Sequence, residues 1–213
     1  MRALLAIQLA ICWAGPTYAA EVLKRPKEIQ SLADRVPLAP PELAADILIR
    51  IVTSGKVTDK AWKMEMLEDA FQLAGHATFP LKVVGAVPQA RSTDSDIGVL
   101  WAALDEKLDA LTLRCRIVHV MLGLDKKRAL EVFAEVSLRM PQLSCADPIT
   151  YVPEIYYSTM RDVLEQALGD REWRDGKVLV MLEGAVRQIT SPSQLAPALK
   201  MLTALQRLDP DPS

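Results

Sequence analysis

The chain has 213 residues, of which 50% are hydrophobic and 24% charged, and its formal net charge is −2. That balance excludes a highly charged disordered chain and, with no basic patch, argues against a nucleic-acid-binding surface. It fits one soluble globular unit.

The first residues, MRALLAIQLAICWAGPTYAA, combine one cation at Arg2 with an apolar run from Ala3 to Ala14, a Gly15-Pro16 break and the small-x-small pattern Thr17-Tyr18-Ala19. This is the pattern of a secretory signal peptide over 1–19, with the mature chain beginning near Ala20. The run is too short for the ~20 apolar residues of a membrane-spanning helix, so no stable span is expected after cleavage. Cys12 is not a lipidation site, because Ile11 stands before it where a small residue is required. An exported protein is expected, periplasmic or extracellular. Residues 20–40 carry mixed charge and three prolines without a sustained apolar stripe, and read as a flexible linker with at most a short helical turn.

A helical domain is expected over 41–208. In PELAADILIRIV, Leu43, Ala44, Ile47, Leu48 and Ile51 fall on one face after a proline start, and Gly55 stops the helix. The next helix, from Thr58 or Asp59 to Ala74, carries one stripe of Met64, Leu67, Phe71 and Ala74 and another of Trp62, Met66 and Leu73, which implies two packing partners. Residues 76–93 read as irregular, and a helix is expected from Asp94 or Ser95, bending near Leu108-Asp109. The following helix, ALTLRCRIVHVMLGL, is apolar over most of its circumference and should be central.

Asp125 to Pro141, DKKRALEVFAEVSLRMP, reads as a capped helix with a proline stop. A proline-rich connector leads to a helix over 153–168, and one further helix is expected within 170–189. Ser191-Pro192-Ser193-Gln194 has capping-box spacing and opens a last helix ending near Leu208, with residues 209–213 as a disordered tail. The fold class is therefore all-α, antiparallel hairpins forming a short solenoid or an irregular bundle.

Ala129, Phe133 and Val136 share one stripe, and Pro141 follows. This resembles the second helix of a tetratricopeptide repeat, in which a small residue lets the paired helices approach and an aromatic fills the gap. The preceding helix departs from the pattern, with Leu113 where tryptophan is usual and Ile117 where glycine is usual. A step of 34 residues reaches Val163 and Ala167 and loses the aromatic. The resemblance is to divergent secreted bacterial helical-repeat proteins, and it implies a scaffold that presents a groove to a peptide or protein partner.

No metal-ligand spacing, phosphate-binding glycine loop or nucleophile elbow is present, and no cofactor or metal is expected. Thr112, Arg116 and His119 form a narrow polar line on the central helix, either its solvated edge or a line facing a groove. Arg114 lies inside the apolar arc, so an ion pair with Glu131, Glu135 or another carboxylate is expected. Tyr151, Tyr156 and Tyr157 cluster beside Pro148 and Pro153, where they either staple the connector to a helix or contact a partner. The candidate partner-contacting residues are Arg114, Arg116, His119, Tyr151, Tyr156 and Tyr157. In an exported chain Cys115 and Cys145 are either a disulfide or two separate buried thiols.

The resulting expectation is a non-catalytic protein- or peptide-binding scaffold of the cell envelope. Its competitors are an envelope hydrolase with a carboxylate/His site and a fragment of a larger repeat array.

Overall fold

A computed structural model describes residues 25–77, 107–138 and 152–206. Within them lie nine α-helices and no strand: α1 (Lys27–Ala33), α2 (Pro41–Thr53), α3 (Lys60–Gly75), α4 (Ala110–Leu122), α5 (Lys126–Phe133), α6 (Glu154–Ala167), α7 (Asp170–Arg174), α8 (Lys177–Arg187) and α9 (Leu195–Gln206). Two 3-10 turns, Val36–Leu38 and Pro192–Gln194, complete the order. The all-α class read from the sequence is what the structure shows. The helix expected from Asp94 or Ser95 lies outside the described residues, as do the segments read as a signal peptide and a tail.

Side-chain caps set several starts. Asp59 accepts from the backbone N–H groups of Ala61 and Trp62, Asp109 from Thr112, and Asp125 from Arg128, each satisfying donors that the helix leaves open. Pro41 stands at the first position of α2, where its missing N–H costs nothing. Gly55, after α2, has φ +74°, a left-handed conformation that glycine adopts without a Cβ clash.

Six of the nine helices pack in two rows. In one, α2 touches α4, α4 touches α6, and α6 touches α9; in the other, α3 packs on α2 and α4, and α5 packs on α4 and α6. Short turns make α2–α3 and α4–α5 hairpins. Cys115 pairs with Thr159 and, one turn on, His119 pairs with Asp162, so α4 and α6 run parallel. Central α4 buries Leu111, Leu113, Cys115, Ile117, Val118, Met121 and Leu122, as its all-round apolarity requires.

Four expectations are corrected. Helical order begins at Lys27, inside the stretch read as linker, and Val36 of the first 3-10 turn is buried in the core. The α2 face is rotated, with Ala45, Ile49 and Val52 buried and Leu43 43% exposed. Helix α5 stops at Phe133 instead of running towards Pro141. Val136 and Leu138 are both buried, and two residues spaced i, i+2 share a side in an extended chain but lie 200° apart on a helix. Finally, Gly176, at φ +74°, divides the single helix expected within 170–189 into α7 and α8.

Candidate functional site

The polar line of α4 is a set of bridges between neighbours in the helix row. On one side, the Arg116 guanidinium donates to Asp46 Oδ1 of α2 at 2.7 Å, while Arg50 donates to the other oxygen of the same carboxylate at 2.6 Å. On the other, His119 Nδ1 lies 3.5 Å from Asp162 Oδ2 of α6, and Arg161 donates to Asp162 Oδ1 at 2.7 Å. Thr112 is buried and lines a cavity described below. Sequence reasoning missed Asp46 and Asp162; the one available signal was a carboxylate, Asp46, set among the apolar residues of α2.

Among the described residues Arg114 does not make the expected ion pair. Its guanidinium carbon sits 4.6 Å from the Phe71 ring centroid, and Nε is buried without a hydrogen-bond partner among the described residues. Glu131 pairs instead with Arg128, which also bridges to Glu68. Room for the guanidinium comes from Gly75, whose Cβ position it would meet. The site is the C-terminal end of α3, where the helix dipole favours a cation. Because Arg114→Met keeps the volume and removes an unsatisfied donor while losing the ring contact, urea denaturation is expected to show a change below about 1.5 kcal/mol.

Tyr156 and Tyr157, candidate partner contacts in the sequence, are core residues. Tyr156 stacks on Phe133 at 5.3 Å and meets Tyr157 edge-on at 5.4 Å. Tyr151 lies outside the described residues. Cys115 is a free, buried thiol, and Cys145 is likewise outside the described residues.

Burial pushes the Cys115 thiol up to about 12 from its ordinary 9.0, against a hydrogen bond with Thr159 that acts the other way. Burial is also the main reason the Tyr156 phenol rises to about 12 from 10.0. Both groups therefore hold their protons in the folded protein at pH values where the unfolded chain has lost them. Their contribution to stability is complete below the unfolded values and is lost as pH rises. The denaturation midpoint is accordingly expected to fall between pH 9 and about 12, measurable as a pH series of urea melts.

A cavity of about 680 Å³ opens where α4, α6 and α9 meet. Ile155, Tyr157, Pro197 and Met201 supply apolar wall, and Lys107 and Lys200 stand exposed among the lining residues. A smaller cavity, about 430 Å³, lies between α1 and α3, where Arg25 covers the Trp62 ring at 4.9 Å and donates to Glu65 at 3.0 Å.

No family model matches this chain. Neither a curated protein nor a solved structure matches it. Among the described residues no three His, Cys, Asp or Glu side chains gather as a metal site, and no helix is long and apolar enough to cross a membrane.

Exposed apolar side chains on α8 and α9 are the other notable surface feature. On α8, Leu179 and Val180 are 69% and 70% exposed; on α9, Leu195 and Leu199 are 50% and 62% exposed. Val178 and Ala185 of α8 and Ala198, Met201 and Leu205 of α9 face the core, so both helices are apolar on a covered and an uncovered side. A helix apolar on two sides has room for two packing partners.

Proposed function

We propose that this protein is an exported, non-catalytic helical scaffold that binds a polypeptide partner against the α8–α9 end of its stack. The carrying observation is the exposure of Leu179 and Val180 on α8 and of Leu195 and Leu199 on α9, the last two α-helices in the described chain order. Stacked helical units bury an apolar face on each neighbour, and a terminal unit without a polar outer face invites another polypeptide. The row α2, α4, α6, α9 beside α3 and α5, and the tetratricopeptide-like stripe Ala129, Phe133 and Val136, support this reading. The leader pattern supports export to the cell envelope.

Equivalent helices α4 and α6 begin at Ala110 and Glu154, 44 residues apart (154 − 110), against the 34 of a tetratricopeptide unit. The proposed scaffold is therefore an irregular stack of hairpins. The same exposed end favours a second reading, a segment of a larger repeat array whose next unit covers α8 and α9.

Affinity capture from the envelope with the mature protein tests the proposal. One reproducible stoichiometric partner is expected, and Leu179→Glu with Leu199→Glu should abolish its recovery while leaving the circular dichroism spectrum unchanged. Absence of a partner across growth conditions, or undiminished recovery by the double variant, contradicts it.

A further inference from the structure

The cavity between α4, α6 and α9 is separate from the uncovered end, and its chemistry points to a different occupant. Its volume, about 680 Å³, falls among those of small-molecule sites, which are mostly apolar with a few placed polar groups. The charges around it are unequally engaged. Asp109 is used in capping α4, through the Thr112 N–H at 2.9 Å. Arg161 is paired with Asp162 and Glu165 of its own helix. Glu154 stands in the first turn of α6, where the positive end of the helix offsets its charge. Lys107 and Lys200 remain, exposed and with no ion pair among the described residues.

Three further features lie at the end of the cavity where α4 and α6 begin. The N-termini of both helices lie at this end, and α6 has no side-chain cap. Lys107 is held at φ 58°, a conformation uncommon for a residue with a side chain. Tyr157 lines the same cavity, and its hydroxyl is buried without a hydrogen-bond partner among the described residues.

We propose that this cavity binds an amphipathic organic anion: an apolar chain lying against Ile155, Met201 and Ala204, and a carboxylate held between Lys107 and Lys200. A cationic head would meet two lysines, and a neutral one would leave them without a counter-charge. The site does not depend on the polypeptide-binding end, since Leu179 and Leu199 do not line it.

Isothermal titration of the whole mature chain with decanoate, below its micelle concentration, tests the assignment. Decanoate is expected to bind at one site, and decyltrimethylammonium to show no saturable binding. Lys107→Glu with Lys200→Glu should weaken decanoate roughly tenfold or more, as loss and reversal of two rim charges implies. Ala204→Trp, which fills the wall, should abolish binding, and Leu199→Glu should leave it unchanged. Equal binding of anion and cation overturns the proposal, as does decanoate binding that survives the double charge reversal, a variant whose sites are exposed and tolerant of change. Binding lost in Leu199→Glu but kept in Ala204→Trp would place the anion on the α8–α9 surface and also overturn it. No decanoate binding to the wild-type chain does the same.

Discussion

Phe133→Ala is expected to destabilise the protein by about 3–5 kcal/mol, the cost of removing a buried aromatic and leaving a cavity behind it. Phe133 is 3% exposed, ends α5 and stacks on Tyr156 of α6. Beside it, Ala129 is fully buried, and the chain beyond α5 turns inward through Val136 and Leu138. The ring therefore joins the α4–α5 hairpin to α6. Phe133→Leu should cost less, because most of the apolar volume remains. Urea denaturation followed by circular dichroism gives both values. A Phe133→Ala loss below about 1 kcal/mol would show that the hairpin and α6 are held by other contacts.

The second large effect is expected at Asp46, a carboxylate whose side chain is only 9% exposed and which takes one arginine on each oxygen. Asp46→Ala should cost about 2–3 kcal/mol, since it leaves the half-buried Arg116 guanidinium facing α2 without an acceptor. Most of this loss belongs to the stranded cation. Arg116→Met in the same background should therefore restore part of the stability, with a coupling of about 1–2 kcal/mol in a double-mutant cycle. The Arg50 pair, with its arginine 64% exposed, contributes little by comparison. Additive single effects would mean that Arg116 and Asp46 do not clip α2 to α4.

The fold class was legible because helix starts are written in short-range chemistry. Asp59, Asp125 and Ser191 each make the local backbone hydrogen bonds that their positions announce. Central α4 was equally legible, because a helix apolar on nearly every side must be enclosed. Other features depend on distant partners. The early end of α5 follows from the burial of Val136 and Leu138 together and from the Leu138 N–H bond to Gln188, fifty residues on. Periodicity within DKKRALEVFAEVSLRMP could not supply that information.

Side-chain roles were less legible than helices. Arg114 announced itself correctly as a cation on an apolar arc, but its solution is an aromatic ring and a glycine on α3 rather than a carboxylate. Arg116 and His119 were found as a polar line, yet their meaning comes from Asp46 and Asp162, which no local pattern ties to them. Lys107 and Lys200 are ordinary lysines until α4, α6 and α9 bring them to one cavity. Leu179 and Leu199, which carry the proposed function, fit the apolar pattern of any amphipathic helix. Only the packing shows which side is uncovered.

Position-dependent photo-crosslinking in cells that produce the protein tests the central claim most directly. A photoreactive residue at Val180 or Leu199, on the uncovered surface, is expected to yield one discrete adduct with another polypeptide, while the same residue at Lys127, exposed on α5, yields none. Adducts from Lys127 alone, or equal labelling at all three positions, would contradict a scaffold that binds through its α8–α9 end.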